Sequence, residues 1–242
     1  MATRTISLLD EDPDLAGGLT GDRLAAARRE ILCEVLELSR GPLDDHPGMQ
    51  STDGALGLLV LDGLLSRRTA VAGRRCLELL GSGDLLRPWQ NDGQHSVAPV
   101  EGRYQVLEPV RVAVLDDRVT PRIGRFPEVM SGIVCRVMNR SRALAGHLVL
   151  AQMPRVDERL LVLFWHLADR WGRVTTDGVV LPLALSHEML GALIGAQRPT
   201  VTLALKQLTE RGMILRRPDR GWLLMQQPAD YEASQPAAAS AS

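Results

Sequence analysis

The sequence predicts an α+β protein with a small antiparallel β domain, one long helix, and a module of short helices closed by a hairpin. Three observations carry this reading. Short apolar runs punctuated by glycine turns fill residues 31–115. A helical apolar period replaces them after Pro127. Residues 185–224 then hold two short helical segments about a glycine turn, followed by an arginine-rich hairpin. The expected organisation is a flexible acidic leader (1–19), the β domain (20–126), the long helix (127–153), the helix–hairpin domain (154–227) and a disordered tail (228–242).

The leader carries acids, Pro13 and Gly17-Gly18, with a short helix expected at 6–9. Thr20 is placed to cap a helix over 22–30, with Asp22 favourably in its first turn. Next comes a series of strands. A run at 56–61 precedes Asp62-Gly63, a hairpin signal, and residues 64–71 follow. Ala72-Gly73 turns again. Residues 76–80 form a strand before the turn Gly81-Ser82-Gly83-Asp84. Runs at 104–107 and 111–115 complete a small barrel or sandwich.

After Pro127 one helical face carries Val129, Ile133, Val137, Leu144, Leu148 and Ala151, and the run ends at Pro154. About 25 residues of helix span roughly 37 Å, longer than one small core needs. The stripe therefore predicts a dimerisation helix, with Val129, Ile133, Val137, Leu144 and Leu148 at the interface. A second amphipathic helix is expected over 155–173, with Leu160, Leu161, Leu163, Phe164 and Leu167 inward and Trp165 and Trp171 packing beside them. Residues 173–183 read as a hairpin about Asp177-Gly178.

The chain has 242 residues, 45% apolar and 24% charged, with net charge −1. That composition excludes wholesale disorder and allows one large or two modest domains. All 28 basic side chains except Lys206 are arginine. The near-zero total hides a local excess: residues 186–224 carry a net charge of +3. Cys33, Cys76 and Cys135 are scattered with no CxxC pair, so they read as buried free thiols in a reducing compartment. No metal or cofactor is expected. The opening MATRTISLLDEDPD meets acids too soon for a signal peptide, and no apolar stretch is long enough for a membrane span. A soluble, cytoplasmic protein is expected, with no membrane partner.

The segment with functional content is LSHEMLGALIGAQRPTVTLALKQLTERGMILRRPDRGWLL, residues 185–224. Ser186 reads as an N-cap, and Met189, Leu190, Leu193 and Ile194 as a short apolar face. Gly195-Ala196 turns the chain. A second helix follows over 198–211, with Pro199 tolerated in its first turn, Val201, Leu205 and Leu208 inward and Gly212 as its stop. Residues 214–224 form a hairpin bearing Arg216, Arg217 and Arg220. This order is a winged helix-turn-helix. The start of its second helix presents Gln197, Arg198, Pro199, Thr202 and Leu203, the expected base readers, because an arginine there can grip guanine O6 and N7. Ser186, His187, Thr200, Lys206, Arg216, Arg217 and Arg220 are the expected phosphate contacts.

The run SHEMLGALIGAQRPTV, Ser186 to Val201, resembles the helix-turn-helix of the Crp/Fnr superfamily of transcriptional regulators. Arg198, Thr200 and Val201 keep the family's places. Pro199 replaces its usual Glu, and Leu203 stands where a second Arg is common, so the operator should differ from that of the cyclic-AMP receptor protein. The resemblance extends over most of the chain. It implies that the N-terminal part is a cyclic-nucleotide-binding-like β-roll, with Gly63, Gly73, Gly81 and Gly83 at its turns. It also implies a homodimer on double-stranded DNA, with RNA polymerase as a partner. A small-molecule effector would sit near Gly83, Asp84, Leu85, Arg87 and Trp89. The family's ribose-binding Gly-Glu pair and phosphate-binding Arg-Ser/Thr-Ala run are absent, which argues against cyclic AMP. The cysteine-rich N-terminus of iron–sulfur members is missing. Cys76, His46 and His95, which could be proposed for haem, read as isolated residues.

The leading expectation is thus a homodimeric, sequence-specific regulator on near-palindromic sites. The alternative is a β-roll sensor or scaffold whose helical domain binds protein instead of DNA. An enzyme is not expected, since there is no nucleophile elbow, Walker loop, GxGxxG or metal-ligand spacing among the histidines.

Overall fold

Alternation of apolar and polar residues folds the first part of the chain into antiparallel strands. The computed structural model describes residues 4–43, 54–71, 74–89 and 101–225. The chain divides into two compact units, 1–143 and 144–242.

In the first unit, β1 (Arg4–Ser7) pairs with β2 (Leu32–Leu38). The remaining strands are β3 (Gly41–Pro42), β4 (Gly57–Val71), β5 (Arg74–Leu80), β6 (Leu85–Leu86) and β7 (Glu101–Leu115). Together they form a seven-stranded sheet in the order β1-β2-β7-β4-β5, with β3 against β7 and β6 against β4. The sheet buries side chains into two apolar clusters. Leu38, Leu58, Val60, Leu65, Val106 and Val112 belong to one. Leu59 and Ala113 join the other, where Leu8, Leu9 and Leu15 also lie.

Those last residues correct the expectation of a flexible leader. Beyond β1, residues 4–19 form a helical turn α1 (Leu8–Glu11) and a 3-10 turn (Pro13–Ala16). Leu8, Leu9, Leu15 and Leu19 are all buried. The acids that look like a solvated leader are anchored: Glu11 pairs with Arg111 at 2.8 Å, and Asp12 with Arg136. α2 (Gly21–Glu30) follows, with Thr20 at its N-cap but without a side-chain capping bond.

Asp62-Gly63 is not a hairpin turn. β4 runs through it as one 15-residue strand, and its pairing with β7 shifts register between Val60 and Leu65. Gly63 has φ +95°, and a Cβ there would stand 2.2 Å from the Pro109 carbonyl oxygen. The glycine serves a bulge because β7 is long enough to pair with both halves of β4. For the same reason the expected strands 104–107 and 111–115 are one strand. Ala72-Gly73 lies outside the described residues, although Val71 and Arg74 face each other across it. The turn at 81–84 is present. The Gly81 amide donates to Asp84 Oδ2 at 2.8 Å.

The short helix α3 (Thr120–Gly124) leads to α4 (Pro127–Gln152). Val129 and Ile133 are buried in the first unit's own core, which removes them from the expected dimer interface. Arg136 binds Asp12 through both carboxylate oxygens. Arg140 donates to Glu78 at 2.7 and 2.9 Å and to the Leu85 carbonyl at 2.9 Å. Further along, Val137 (48% exposed) and Leu148 (68%) face solvent, as do Val134, Met138, Leu144 and Val149. Of the cysteines only Cys33 is buried; Cys76 and Cys135 are exposed, contrary to expectation. Burial pushes the Cys33 thiol up to about 12.

The second unit holds α5 (Val156–Trp171), β8 (Arg173–Thr175), β9 (Gly178–Leu181), α6 (His187–Ile194), α7 (Arg198–Glu210), β10 (Ile214–Arg216) and β11 (Trp222–Leu224). Its sheet order is β10-β11-β9-β8. Leu160, Leu163, Phe164 and Leu167 of α5 are buried, as are Leu190, Val201, Leu208 and Trp222. Phe164 packs on Trp222 at 4.9 Å between centroids. Trp165 is buried too, whereas Trp171 is half-exposed under Arg170 and lies outside the expected cluster. Asp157, at the start of α5, accepts from Arg155 at 2.9 Å and from Arg211, just past α7, at 2.8 Å. The tail 228–242 lies outside the described residues.

Candidate nucleic-acid interface

The interface is built by two helix starts and a strand. Ser186 Oγ accepts from the Met189 amide at 3.2 Å and caps α6. Gly195, at φ +71°, ends α6 in the left-handed conformation, and the Ala196 amide returns to the Gly191 carbonyl at 2.9 Å. Arg159 Nη1 donates to the Ile194 carbonyl at 2.8 Å, holding the end of α6 against α5. Gln197 is then the extended N-cap of α7, with Arg198 and Pro199 in the first turn, where proline displaces no helical hydrogen bond.

Inward, α7 buries Val201, Ala204, Leu205 and Leu208. Outward, it exposes Gln197, Arg198, Pro199, Thr200, Thr202, Leu203 and Lys206. Leu203 is 57% exposed, so packing within this chain does not explain it. Every residue expected to read bases is therefore on one solvent-facing end of α7.

Below that end lies a groove of about 700 Å³ lined by His187 and Glu188 of α6, Arg198, Thr202 and Lys206 of α7, and Arg216 and Trp222 of the wing. His187 Nδ1 stands 2.8 Å from Thr202 Oγ1, which also donates to the Arg198 carbonyl at 3.0 Å. Arg216 lies 4.3 Å over the Trp222 ring, and burial lowers its pKa. Sequence reasoning missed Trp222 as this platform. Its signal was the alternation in β11, which turns Trp222 and Leu224 to the same buried side.

The wing is tied locally. Asp219 accepts from the Gly221 amide at 2.9 Å and from Arg217 at 3.2 Å, and these bonds hold its carboxyl below the usual range. Arg217 is thus less available to a phosphate than Arg216 or Arg220. Arg220 has φ 65°, an uncommon conformation for a residue with a side chain, at the tip of the wing. Lys206 lies 3.6 Å from Glu210, a surface pair that solvent weakens.

The residues expected around an effector have other duties. Gly83 (φ +87°) and Asp84 make the turn, Leu85 gives its carbonyl to Arg140, and a Cβ on Gly57 would stand 3.2 Å from Arg87 Cγ. Trp89 packs on the sheet's apolar cluster. His46 and His95 lie outside the described residues. No group of three or more His, Cys, Asp or Glu able to hold a metal occurs among the described residues, and no helix among them is long and apolar enough to cross a membrane.

An antiparallel β unit followed by a winged helix-turn-helix with a basic reading end defines a DNA-binding transcriptional regulator. Residues 158–229 match the Crp-like helix-turn-helix domain. No curated protein matches the chain in sequence. Among solved structures, a CooA mutant from Carboxydothermus hydrogenoformans is 21% identical with a TM-score of 0.62, over 83% of this chain and 87% of that one. FixK2 from Bradyrhizobium japonicum is 16% identical with a TM-score of 0.61, over 85% and 99%. The c-di-GMP-responsive global regulator CLP of Xanthomonas campestris is 15% identical with a TM-score of 0.57, over 81% and 95%. These similarities concern the fold. The family match is thus to the DNA-binding module, residues 158–229, and the likeness over the rest of the chain is one of fold.

Proposed function

We propose that the protein is a cytoplasmic homodimer that binds near-palindromic operators through α7 and performs no catalysis. The observation that carries this reading is the exposed row Gln197, Arg198, Pro199, Thr202 and Leu203 above a groove bearing Arg198, Lys206 and Arg216. In this reading Arg198 grips a guanine and Leu203 meets a thymine methyl. Ser186, His187, Thr200, Lys206, Arg216, Arg217 and Arg220 follow the phosphates.

The exposed apolar face of α4 supports a second copy of the chain. Val134, Ser141 and Leu148 recur every seven residues, and so do Val137, Leu144 and Ala151. That spacing suits a two-helix seam. Functionally, residues 20–126 are the sensor-like part, 127–153 the seam and 154–227 the DNA reader, with residues 4–19 joined to the first. RNA polymerase is a further partner in this reading. A small-molecule effector would act at Gly83, Asp84, Leu85, Arg87 and Trp89. What supports that place is α4 itself: Arg140 bonds to Leu85, and Arg136 lies against Gly83.

In vitro selection of duplexes from a random pool tests the reading. The expected product is an inverted repeat whose half-site centres lie about 10 base pairs, or a multiple of this, apart. Recovery of no enriched sequence would contradict sequence-specific binding.

A further inference from the structure

We propose that His187 is a proton-linked phosphate clamp, which takes up one proton from solvent when a DNA phosphate enters the groove between α6, α7 and β10. The inference rests on the DNA-binding reading and specifies how one of its contacts works.

One hydroxyl proton sets the state of the ring. Thr202 Oγ1 donates it to the Arg198 carbonyl at 3.0 Å. The same oxygen lies 2.8 Å from His187 Nδ1, and with its proton on the Arg198 carbonyl it accepts there. In this arrangement the neutral imidazole carries its proton on Nδ1 and leaves a lone pair on Nε2, at the opposite edge of the ring. The bond to Thr202 uses Nδ1, and Nε2 takes no part in it. The charged groups around the ring are Glu188 on its own helix, Arg198 and Lys206 on α7, and Arg216 on β10; Trp222 of β11 adds no charge. Burial, then the charges of Arg198 and Arg216, lower the pKa of His187 below its usual range. At neutral pH and without DNA the neutral ring presents an acceptor, which repels a phosphate oxygen.

A phosphate seated by Arg216 and Lys206 reverses this. It offsets the guanidinium charges beside the ring and offers an acceptor of its own. Protonation turns Nε2 into a donor, and the Nδ1–H bond to Thr202 is kept, so the ring need not turn. One proton is bound per site, and affinity rises as the pH falls through the DNA-bound pKa of His187.

The test is fluorescence anisotropy with a labelled mixed-sequence duplex of about 30 base pairs at fixed ionic strength. The dissociation constant of the unaltered protein should tighten roughly tenfold between about pH 8 and about pH 6. For His187→Gln the change should be less than about twofold. An equal pH dependence in both proteins would overturn the proposal while leaving the regulator reading intact. Absence of binding at either pH would remove both. The ring nitrogens of His187, read by 15N NMR in the DNA-free protein at neutral pH, give an independent check. The Nδ1–H tautomer supports the proposal, and an Nε2–H tautomer overturns it.

Discussion

Asp157→Asn should destabilise the second unit in a way that depends on pH. The Asp157 side chain is 7% exposed, and the carboxylate ties α5 to the end of α7 through Arg155 and Arg211. A hydrogen bond to a charged group contributes about 1.5–3 kcal/mol when well shielded. Here Arg155 and Arg211 are 62% and 44% exposed, so solvent screens part of each interaction. Asparagine keeps the volume and one acceptor oxygen but loses the charge. A loss of about 1.5 kcal/mol at neutral pH is the expected result. For a unit of this size that corresponds to a midpoint lowered by about 6–12 °C.

The pH dependence supplies the sharper test. Burial raises the Asp157 pKa, but the hydrogen bonds from Arg155 and Arg211 outweigh it and leave the group below its ordinary 3.8. A depressed carboxylate stabilises the fold fully above its unfolded pKa, and that stabilisation disappears as pH falls through the folded value. The gap between the two proteins should therefore be constant above about pH 5 and close as the pH falls below about 4. Trp165, Trp171 and Trp222 lie in this unit and Trp89 in the first, so thermal unfolding followed by tryptophan fluorescence in a Trp89→Phe background reads it. A gap that persists unchanged into acid would refute the ion-pair account.

Three further outcomes follow from the same structure. Gly63→Ala should cost about 2–3 kcal/mol, measured by urea unfolding followed by circular dichroism, because it adds a Cβ at φ +95° within 2.2 Å of a carbonyl oxygen; a near-neutral effect would mean that the bulge relaxes freely. Arg140→Met should destabilise the first unit by about 2–4 kcal/mol, because it leaves Glu78 with its side chain only 11% exposed. Adding Glu78→Leu should recover part of that loss in the same assay, and no recovery would argue against a stranded charge. Val137→Glu with Leu144→Glu should yield monomers in sedimentation velocity, and a double variant that still sediments as a dimer would refute the α4 seam.

The helix-turn-helix was legible because each of its signals is local. Ser186 before a helix, Gly195 between helices, Pro199 in a first turn and Gly212 at a stop all act through their own backbone. The first unit was less legible because its decisive contacts are distant in sequence. Asp62-Gly63 is a hairpin signal in isolation, and only the long β7 beside it makes it a bulge. The acids of residues 10–14 resemble a solvated leader until Arg111 and Arg136 are brought to Glu11 and Asp12. Val129 and Ile133 share a helical face with Val137, yet periodicity cannot say where along α4 the chain's own core ends. That boundary comes from Leu15 packing beside Gly132, where a Cβ would stand 3.2 Å from its Cδ2.

The central claim is that Arg198 at the start of α7 reads a base. Its most direct test compares Arg198→Ala with the unaltered protein on a selected duplex and on a mixed-sequence one, at a single salt concentration. The account expects a loss of about 1–3 kcal/mol on the selected duplex, a much smaller loss on mixed sequence, and relaxed preference at one position of each half-site. Equal losses on both duplexes, or none on either, would contradict it.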